Sequence, residues 1–188
     1  MKFDDSEKLI VKEIIKDPRI SDNQIAIKTG IPVKTVNRKR KALEEKEVIN
    51  YYAQVDHEKG GSEIFKSKRM YIVLFKYGVS REMFTKKFPD MTNTHWESKH
   101  VKEMILGEYN GRVAIFMMIE SGNENDIIEI FNVEIMGKFR TYFGHDAVHD
   151  TLVFPINNCL KLHHNYIPTL NMKQGKMKQD YPDSNIFV

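Results

Sequence analysis

Three chain-breaking signals divide the first 50 residues into short helices. The pair Asp17-Pro18 ends the first helical pattern, because the residue before a proline avoids the α-helical region. Ser21 and Gln24 have the spacing of a capping box, which starts a second helix near Asp22. Gly30 ends that helix, since glycine tolerates the left-handed conformation of a helix cap. These signals predict helices over residues 5–16, 22–29 and 33–46.

The third predicted helix concentrates positive charge. Residues 34–41 include five basic side chains and no acidic one, although the formal net charge of the whole chain is only +3. Such a concentrated basic face is more informative than the overall charge, because Lys and Arg neutralise phosphates and release their counterions. If Val36 and Leu43 face the core, the helical repeat turns outward the side chains of Lys34, Asn37, Arg38 and Lys41.

The neighbours of this basic helix favour DNA binding over a merely solvated face, which is the usual role of a charged stretch. The helix follows two short helices and a glycine-containing turn, and it precedes a segment at 48–55 that is typical of a strand or wing. This is the order of a winged helix-turn-helix module. Asn and Arg side chains can read adenine and guanine edges in the major groove. We therefore expect contact with double-stranded DNA through Lys34, Thr35, Asn37, Arg38 and Lys41.

The second half of the chain has the pattern of an α+β domain. Runs rich in β-branched and aromatic residues occur at 70–77, 101–106, 113–119 and 148–155, and helical patterns occur at 80–88 and 125–139. Asn110-Gly111 suits a type I′ turn between the two middle strands. The order βαββαβ predicts a ferredoxin-like domain, in which helices cover one face of an antiparallel sheet.

Length and composition are consistent with two small domains. The chain has 188 residues, and its 41% hydrophobic and 29% charged content is ordinary for a globular protein. We expect a helix-turn-helix domain at 1–56, a linker at 57–67, a ferredoxin-like domain at 68–156 and a C-terminal extension at 157–188. The extension either packs on a neighbour or forms an arm, and its last third is expected to be disordered or solvated.

Several protein classes are excluded by the residues present. The single cysteine, Cys159, rules out an intrachain disulfide framework. The N-terminus lacks the apolar core of a signal peptide, and no window approaches the roughly 20 apolar residues of a membrane span. The histidines near Cys159 lack the spacing of a metal site, so we expect no metal and no cofactor. A cytoplasmic protein with no membrane partner is indicated.

Several motifs in the first half resemble the N-terminal module of the Lrp/AsnC (feast/famine) transcriptional regulators. The matching segments are Asp17-Pro18-Arg19-Ile20-Ser21, Ile25-Ala26, Gly30-Ile31, Leu43-Glu44-Glu45 and Val48-Ile49. In the second half, Gly107-Glu108-Tyr109-Asn110 is similar to the G-x-Y-D-like turn of the effector and oligomerisation domain in the same family.

The resemblance implies a sequence-specific transcriptional regulator and not an enzyme. It also implies a homo-oligomer, a dimer or larger, with small ligands, commonly amino acids, held between subunits near the G-x-Y-D-like turn. Gly107, Tyr109 and Asn110 are then the expected effector-binding positions. A plain hairpin turn with Tyr109 packed against it remains an equal alternative.

Three positions depart from the family pattern. Pro32 stands where a capping serine is usual, but proline can still start a helix. Glu47 replaces the usual glycine after the third helix. Arg40 falls where an apolar residue is expected, so we expect its stem to leave the core or its guanidinium to contact the DNA backbone.

Two other functions remain open. Siroheme decarboxylases share the two-module layout, and His95, His100 and Arg112 would be the candidate residues for contact with a tetrapyrrole. The chain lacks the Arg-Arg-Phe-Gly-like cluster that the decarboxylase family is expected to contain. A ligand-sensing or assembly module that does not bind DNA is the second alternative.

Overall fold

The chain folds into two compact units. The computed structural model describes residues 3–53, 55, 64–91 and 99–188. One unit combines Met1–Gln54 with Asn158–Val188, and the other spans Val55–Asn157. We call them the helical unit and the sheet unit. The helical unit is discontinuous in sequence because the C-terminal extension returns to it. Most of the predicted linker, 57–63, lies outside the described residues.

Three short helices begin the helical unit, as the local signals predict. They are α1 (Asp5–Lys16), α2 (Asp22–Thr29) and α3 (Val33–Glu45). The predicted capping box of Ser21 and Gln24 is present, and Gly30 has a φ of 72° at the end of α2. The helices enclose a small core made of Ile10, Ile14, Ile20, Ile25 and Val36.

The end of α3 forms a Schellman motif. The amide of Val48 donates to the carbonyl of Leu43 over 2.9 Å, and the amide of Glu47 donates to that of Glu44 over 2.9 Å. This geometry places Glu47 in the left-handed region, with a φ of 54°. The strand expected within 48–55 is absent from the described residues 48–53, which form a bend and irregular chain. A strand requires partners for its backbone groups, and Tyr51 instead directs its hydroxyl to side chains of α3.

The sheet unit has the predicted βαββαβ order. Its elements are β1 (Ser67–Phe75), α4 (Arg81–Met91), β2 (Val101–Tyr109), β3 (Arg112–Ser121), α5 (Glu124–Glu129), a π-helical segment (Ile130–Ile135), α6 (Met136–Phe143) and β4 (Val148–Pro155). The strand order is β2-β3-β1-β4, and all three pairs are antiparallel. This topology confirms the ferredoxin-like prediction.

The two faces of the sheet differ in how they are covered. Helices pack on one face, where Tyr71 and Phe131 stack with ring centroids 3.8 Å apart and Phe75 contacts Phe139. On the opposite face Ile72 pairs with Leu152, and Phe116 pairs with both Ile72 and Ile105. This second face remains partly exposed and apolar, with 51% of Ile105, 41% of Leu152 and 48% of Phe154 accessible to solvent.

The hairpin between β2 and β3 is tighter than the sequence pattern indicates. Pairing continues through Gly107 and Tyr109, whose partners are Ala114 and Arg112. Only Asn110 and Gly111 form the turn, and their φ values of 49° and 72° fit type I′. The predicted end of the strand at 106 is wrong by three residues, because a two-residue turn lets the ladder continue to Tyr109.

The C-terminal extension is folded and packs on α1. It contains α7 (Pro168–Asn171), the hairpin of β5 (Met172–Lys173) and β6 (Lys176–Met177), and a final helical turn at Asp183–Asn185. The Tyr166 hydroxyl donates to the Ile15 carbonyl over 2.9 Å, and Lys176 pairs with Asp17 at 2.6 Å. The last third, expected to be disordered or solvated, is mostly exposed but ordered, because Ile186 is 5% exposed and Asp183 pairs with Lys16 at 2.9 Å.

Candidate nucleic-acid interface

Helix α3 presents the face that the helical repeat predicts. Val36 and Leu43 are 0% and 1% exposed, so one side of the helix is fixed in the protein interior. Pro32 is the N-cap residue, as expected for a helix-starting proline, and it provides no side-chain cap. Of the five residues expected to contact DNA, Thr35 is partly buried, and the exposed ones are Lys34, Asn37, Arg38 and Lys41.

The basic residues of α3 divide into free and paired side chains. Lys34 and Arg38 form no ion pair with the described residues, so their charge is available to an anion. Lys41 lies 3.7 Å from Glu45, but both side chains are exposed and water screens such a pair. Lys39 is different, because it is only 14% exposed and pairs with Asp4 and Glu7 of the α1 region. The structure therefore uses Lys39 to hold α3 to α1.

Arg40 lies within a network of protein side chains. Its guanidinium donates to the Ile20 carbonyl over 2.8 Å and pairs with Asp22 at 3.1 Å and Glu44 at 3.0 Å. The Tyr51 hydroxyl accepts from it over 2.9 Å and donates to Glu44 over 2.8 Å. The head group of Arg40 is thus held by protein acceptors that the sequence pattern does not bring together, and contact of its guanidinium with the DNA backbone stays a prediction.

The ionisation of this network follows from its hydrogen bonds. Burial lowers the pKa of Arg40, but hydrogen bonds to Tyr51 and Glu44 outweigh it and raise the pKa above its ordinary value. Burial, together with the hydrogen bond to Glu44, raises the pKa of Tyr51. Arg40 therefore stays charged, and Tyr51 keeps the proton that it donates to Glu44.

Asp22 is the site residue that the sequence does not reveal. Its Oδ2 accepts from the Asn37 Nδ2 over 2.8 Å, while its Oδ1 accepts from Arg40. Asp22 is the first residue of α2 and lies 15 positions before Asn37. The only sequence signal for this contact is the helix-turn-helix order itself, in which the start of α2 lies near the exposed face of α3.

The expected effector residues lie at the exposed end of the β2–β3 hairpin. Gly107 is within β2 and not in a turn, and its nearest side-chain neighbour is Phe116. Tyr109 is 54% exposed, and the Asn110 carbonyl accepts from the Tyr77 hydroxyl over 3.4 Å. The three positions share one end of the sheet, but their role in binding an effector stays a prediction.

The two described residues of the tetrapyrrole alternative, His100 and Arg112, do not converge within one subunit. His95 lies outside the described residues. The His100 ring nitrogen is 3.0 Å from the carbonyl of Glu120, near the end of β3, whereas Arg112 begins β3 and lies over the Tyr77 ring. Eight residues of a strand span about 26 Å, so His100 and Arg112 belong to opposite ends of the sheet.

Two further observations concern the described part of the chain. It contains no group of three or more His, Cys, Asp or Glu side chains arranged to hold a metal ion. None of its helices combines the length and the apolar character that crossing a bilayer requires.

Comparison with known proteins agrees with this architecture. A family model described as winged helix-turn-helix DNA-binding matches residues 3–50. A search of curated proteins by sequence gives no match. Among solved structures, the chain is similar to B. subtilis LrpC, with 18% identity, a TM-score of 0.59 and coverage of 87% of this chain and 100% of that one.

Two other solved structures extend the comparison. PF0864 of Pyrococcus furiosus, a transcriptional regulatory protein of the AsnC family, has 16% identity and a TM-score of 0.58, and the match covers 84% of this chain and 92% of that one. The regulator NMB0573 of Neisseria meningitidis, solved as a complex with L-Met, has 12% identity and a TM-score of 0.62, with coverage of 90% and 96%. The chain therefore has the fold of the Lrp/AsnC transcriptional regulators, with a winged helix-turn-helix module at its N-terminus.

Proposed function

We propose that the protein is a transcriptional regulator that binds specific sequences in double-stranded DNA. The exposed face of α3 carries this proposal. It combines the cationic side chains of Lys34 and Arg38, which form no ion pair with any described residue, with the amide of Asn37, on a helix whose other side is buried. Cations supply affinity for phosphates, and the amide and guanidinium groups supply base recognition. The proposed contacts are Lys34, Thr35, Asn37, Arg38 and Lys41.

The proposal includes a homodimer or larger oligomer. The uncovered face of the sheet exposes Ile105, Leu152 and Phe154 together, and a second copy of the same face would bury them. Two copies would present two α3 helices to DNA, with half-sites about 34 Å apart, or a multiple of that spacing, along the duplex.

An amino acid or another small molecule is the proposed effector. It would bind at Gly107, Tyr109 and Asn110, and a second subunit would complete the site because these residues lie at an exposed hairpin end. The L-Met complex of the structurally similar NMB0573 supports this choice of ligand class. The proposal also places the protein in the cytoplasm.

Selection of bound fragments from a pool of random duplexes tests the function directly. We expect a defined sequence to be enriched and its affinity to fall steeply with salt. Arg38→Glu and Lys41→Glu should each weaken binding to the selected duplex by about 10-fold or more and make the salt dependence shallower. Lys86→Glu, an equal charge change at an exposed site of α4, is the matched control.

The outcome at α3 decides the assignment. If Arg38→Glu and Lys41→Glu bind duplex DNA with unchanged affinity and salt dependence, α3 is not the recognition helix. Repeating the selection with a panel of amino acids identifies the effector, because an effector shifts the affinity for the selected duplex reciprocally with its own binding.

A further inference from the structure

The amide of Asn37 is held in one orientation before any DNA is present. Its Nδ2 donates to the Asp22 Oδ2 over 2.8 Å. An ionised carboxylate only accepts hydrogen bonds, so the nitrogen side of the amide must face Asp22 and the two ends of the amide cannot exchange freely. Asn37 is otherwise exposed. Within the described part of the chain its carbonyl oxygen and its second N–H group have no partner, so both remain available to a ligand.

These two remaining groups match one base. Adenine presents an N7 acceptor and an N6 donor in the major groove, and an amide binds both at once through its N–H and its oxygen. An amide in the opposite orientation would direct its oxygen at Asp22 and lose that hydrogen bond. The contact with Asp22 thus selects the adenine-reading orientation of Asn37 on a helix face that is proposed to enter the groove.

Arg40 keeps Asp22 in place and offsets its charge. The second carboxylate oxygen of Asp22 pairs with the Arg40 Nη1 at 3.1 Å. Arg40 is in turn held by Tyr51 and Glu44, and its side chain is only 17% exposed. A lone carboxylate beside the recognition face would repel phosphates, whereas a carboxylate paired to a fixed guanidinium repels them less. This explains why a charged residue occupies a position where an apolar one is expected.

We propose that Asp22 is a positioning residue that sets Asn37 to read adenine in the major groove, and that Arg40 secures Asp22. The inference rests on the proposed function, because it concerns the same face of α3. It goes beyond that function by naming adenine as the base that Asn37 recognises, and Asp22 and Arg40 as the residues that orient Asn37. Asp22 itself need not touch DNA.

Base-by-base competition with variants of the selected duplex tests the proposal. Asn37→Ala identifies the base pair that Asn37 reads, since discrimination there should fall by roughly 5- to 150-fold. Asp22→Ala should lower discrimination at that same base pair by about 5-fold or more and leave the other positions unchanged. It should also raise affinity for unrelated duplexes, because a carboxylate is removed from the binding face.

Two further variants separate orientation from folding. Asp22→Asn keeps a neutral acceptor for the Asn37 amide, so it should retain more of the preference for adenine than Asp22→Ala does. In an Asn37→Ala background, Asp22→Ala should cause no additional loss at that base pair. Asp5→Ala removes an exposed carboxylate from α1 and serves as the control for charge alone.

The outcomes distinguish this inference from the proposed function. If the wild-type protein binds no duplex selectively, the proposed function fails and the inference fails with it. If the wild type is selective but Asp22→Ala preserves discrimination at the Asn37 base pair, only the inference fails. Equal relaxation at every position in Asp22→Ala would also overturn it, since a folding defect would then explain the effect.

Discussion

Replacing Glu47 with glycine should stabilise the helical unit. Glu47 occupies the left-handed residue of the Schellman motif after α3, with a φ of 54°. A side chain with a Cβ atom costs roughly 1–2 kcal/mol in that conformation. Glycine avoids this cost, although its greater freedom in the unfolded chain takes back about 0.4–1 kcal/mol. Removing a carboxylate from the negative end of a helix adds a few tenths of a kcal/mol of stability at an exposed site. The net expectation is about 1 kcal/mol of added stability.

Amide hydrogen exchange of the α1 and α3 segments measures this gain. Because the chain divides into two compact units, a local probe is preferable to one transition for the whole chain. In Glu47→Gly the most protected amides of these helices should exchange about 5-fold more slowly. Peptides of the sheet unit should exchange at unchanged rates.

Two control variants isolate the backbone effect. Glu47→Ala removes the charge but keeps the Cβ atom, so it should give only the electrostatic part of the stabilisation, a few tenths of a kcal/mol. Gly30→Ala makes the reverse change at a φ of 72°, where an added Cβ atom meets nothing within 4 Å. It should therefore destabilise the unit by about 1 kcal/mol through conformational strain alone. If Glu47→Ala stabilises the unit as much as Glu47→Gly, or if Glu47→Gly does not stabilise it, the reasoning from φ is refuted.

Two other predictions concern the extension and the sheet. Burial raises the pKa of Glu13, but hydrogen bonds from Lys16 and Lys28 outweigh this effect and lower the pKa below its ordinary 4.5. Burial also raises the pKa of Asp17, and the hydrogen bond from Lys176 helps to lower that pKa below its ordinary value. A carboxyl group whose pKa is lower in the folded than in the unfolded chain stabilises the fold at pH values above its unfolded pKa. The helical unit should therefore lose stability as the pH falls below about 4.5, which acid unfolding measures. A stability that stays constant down to pH 3 would contradict this. In sedimentation measurements, Phe154→Asp should shift the proposed dimer towards monomer, because it places a charge on the exposed sheet face. Phe187 in the extension is also exposed, and Phe187→Asp should leave the mass unchanged. If Phe154→Asp also leaves the mass unchanged, the sheet face is not the interface.

Local chemistry is sufficient to predict most helices and strands. The bounds of α1 and α2 follow from a proline, a capping box and a glycine, each of which acts within a few residues. The bounds of β4 follow from its β-branched and aromatic residues in the same way. The π-helical segment Ile130–Ile135 has no such local signal, and the sequence indicates only continuous helix there.

Contacts between distant residues account for what the sequence does not predict. Asp22 and Asn37 meet because α2 and α3 cross, and the helical repeat predicts only that Asn37 faces outward. The ion pair between Asp17 and Lys176 joins residues separated by 159 positions. No sequence pattern around Asp17 or Lys176 marks the other as its partner. From charge alone, both side chains would be predicted to lie in solvent.

The return of the C-terminal extension to α1 also affects the order in which the protein folds during synthesis. Domains generally fold as the chain emerges, at about 5–20 residues per second. All of the sheet unit is made before residues 158–188, which add the buried side chains of Met177 and Ile186 to the helical unit. After residue 54 is added, roughly 7 to 27 s of synthesis remain before the last of these residues is joined. The nascent chain can therefore assemble its sheet before residues 158–188 pack on α1, and the sheet face that we propose as the dimer contact is available before the helical unit is complete.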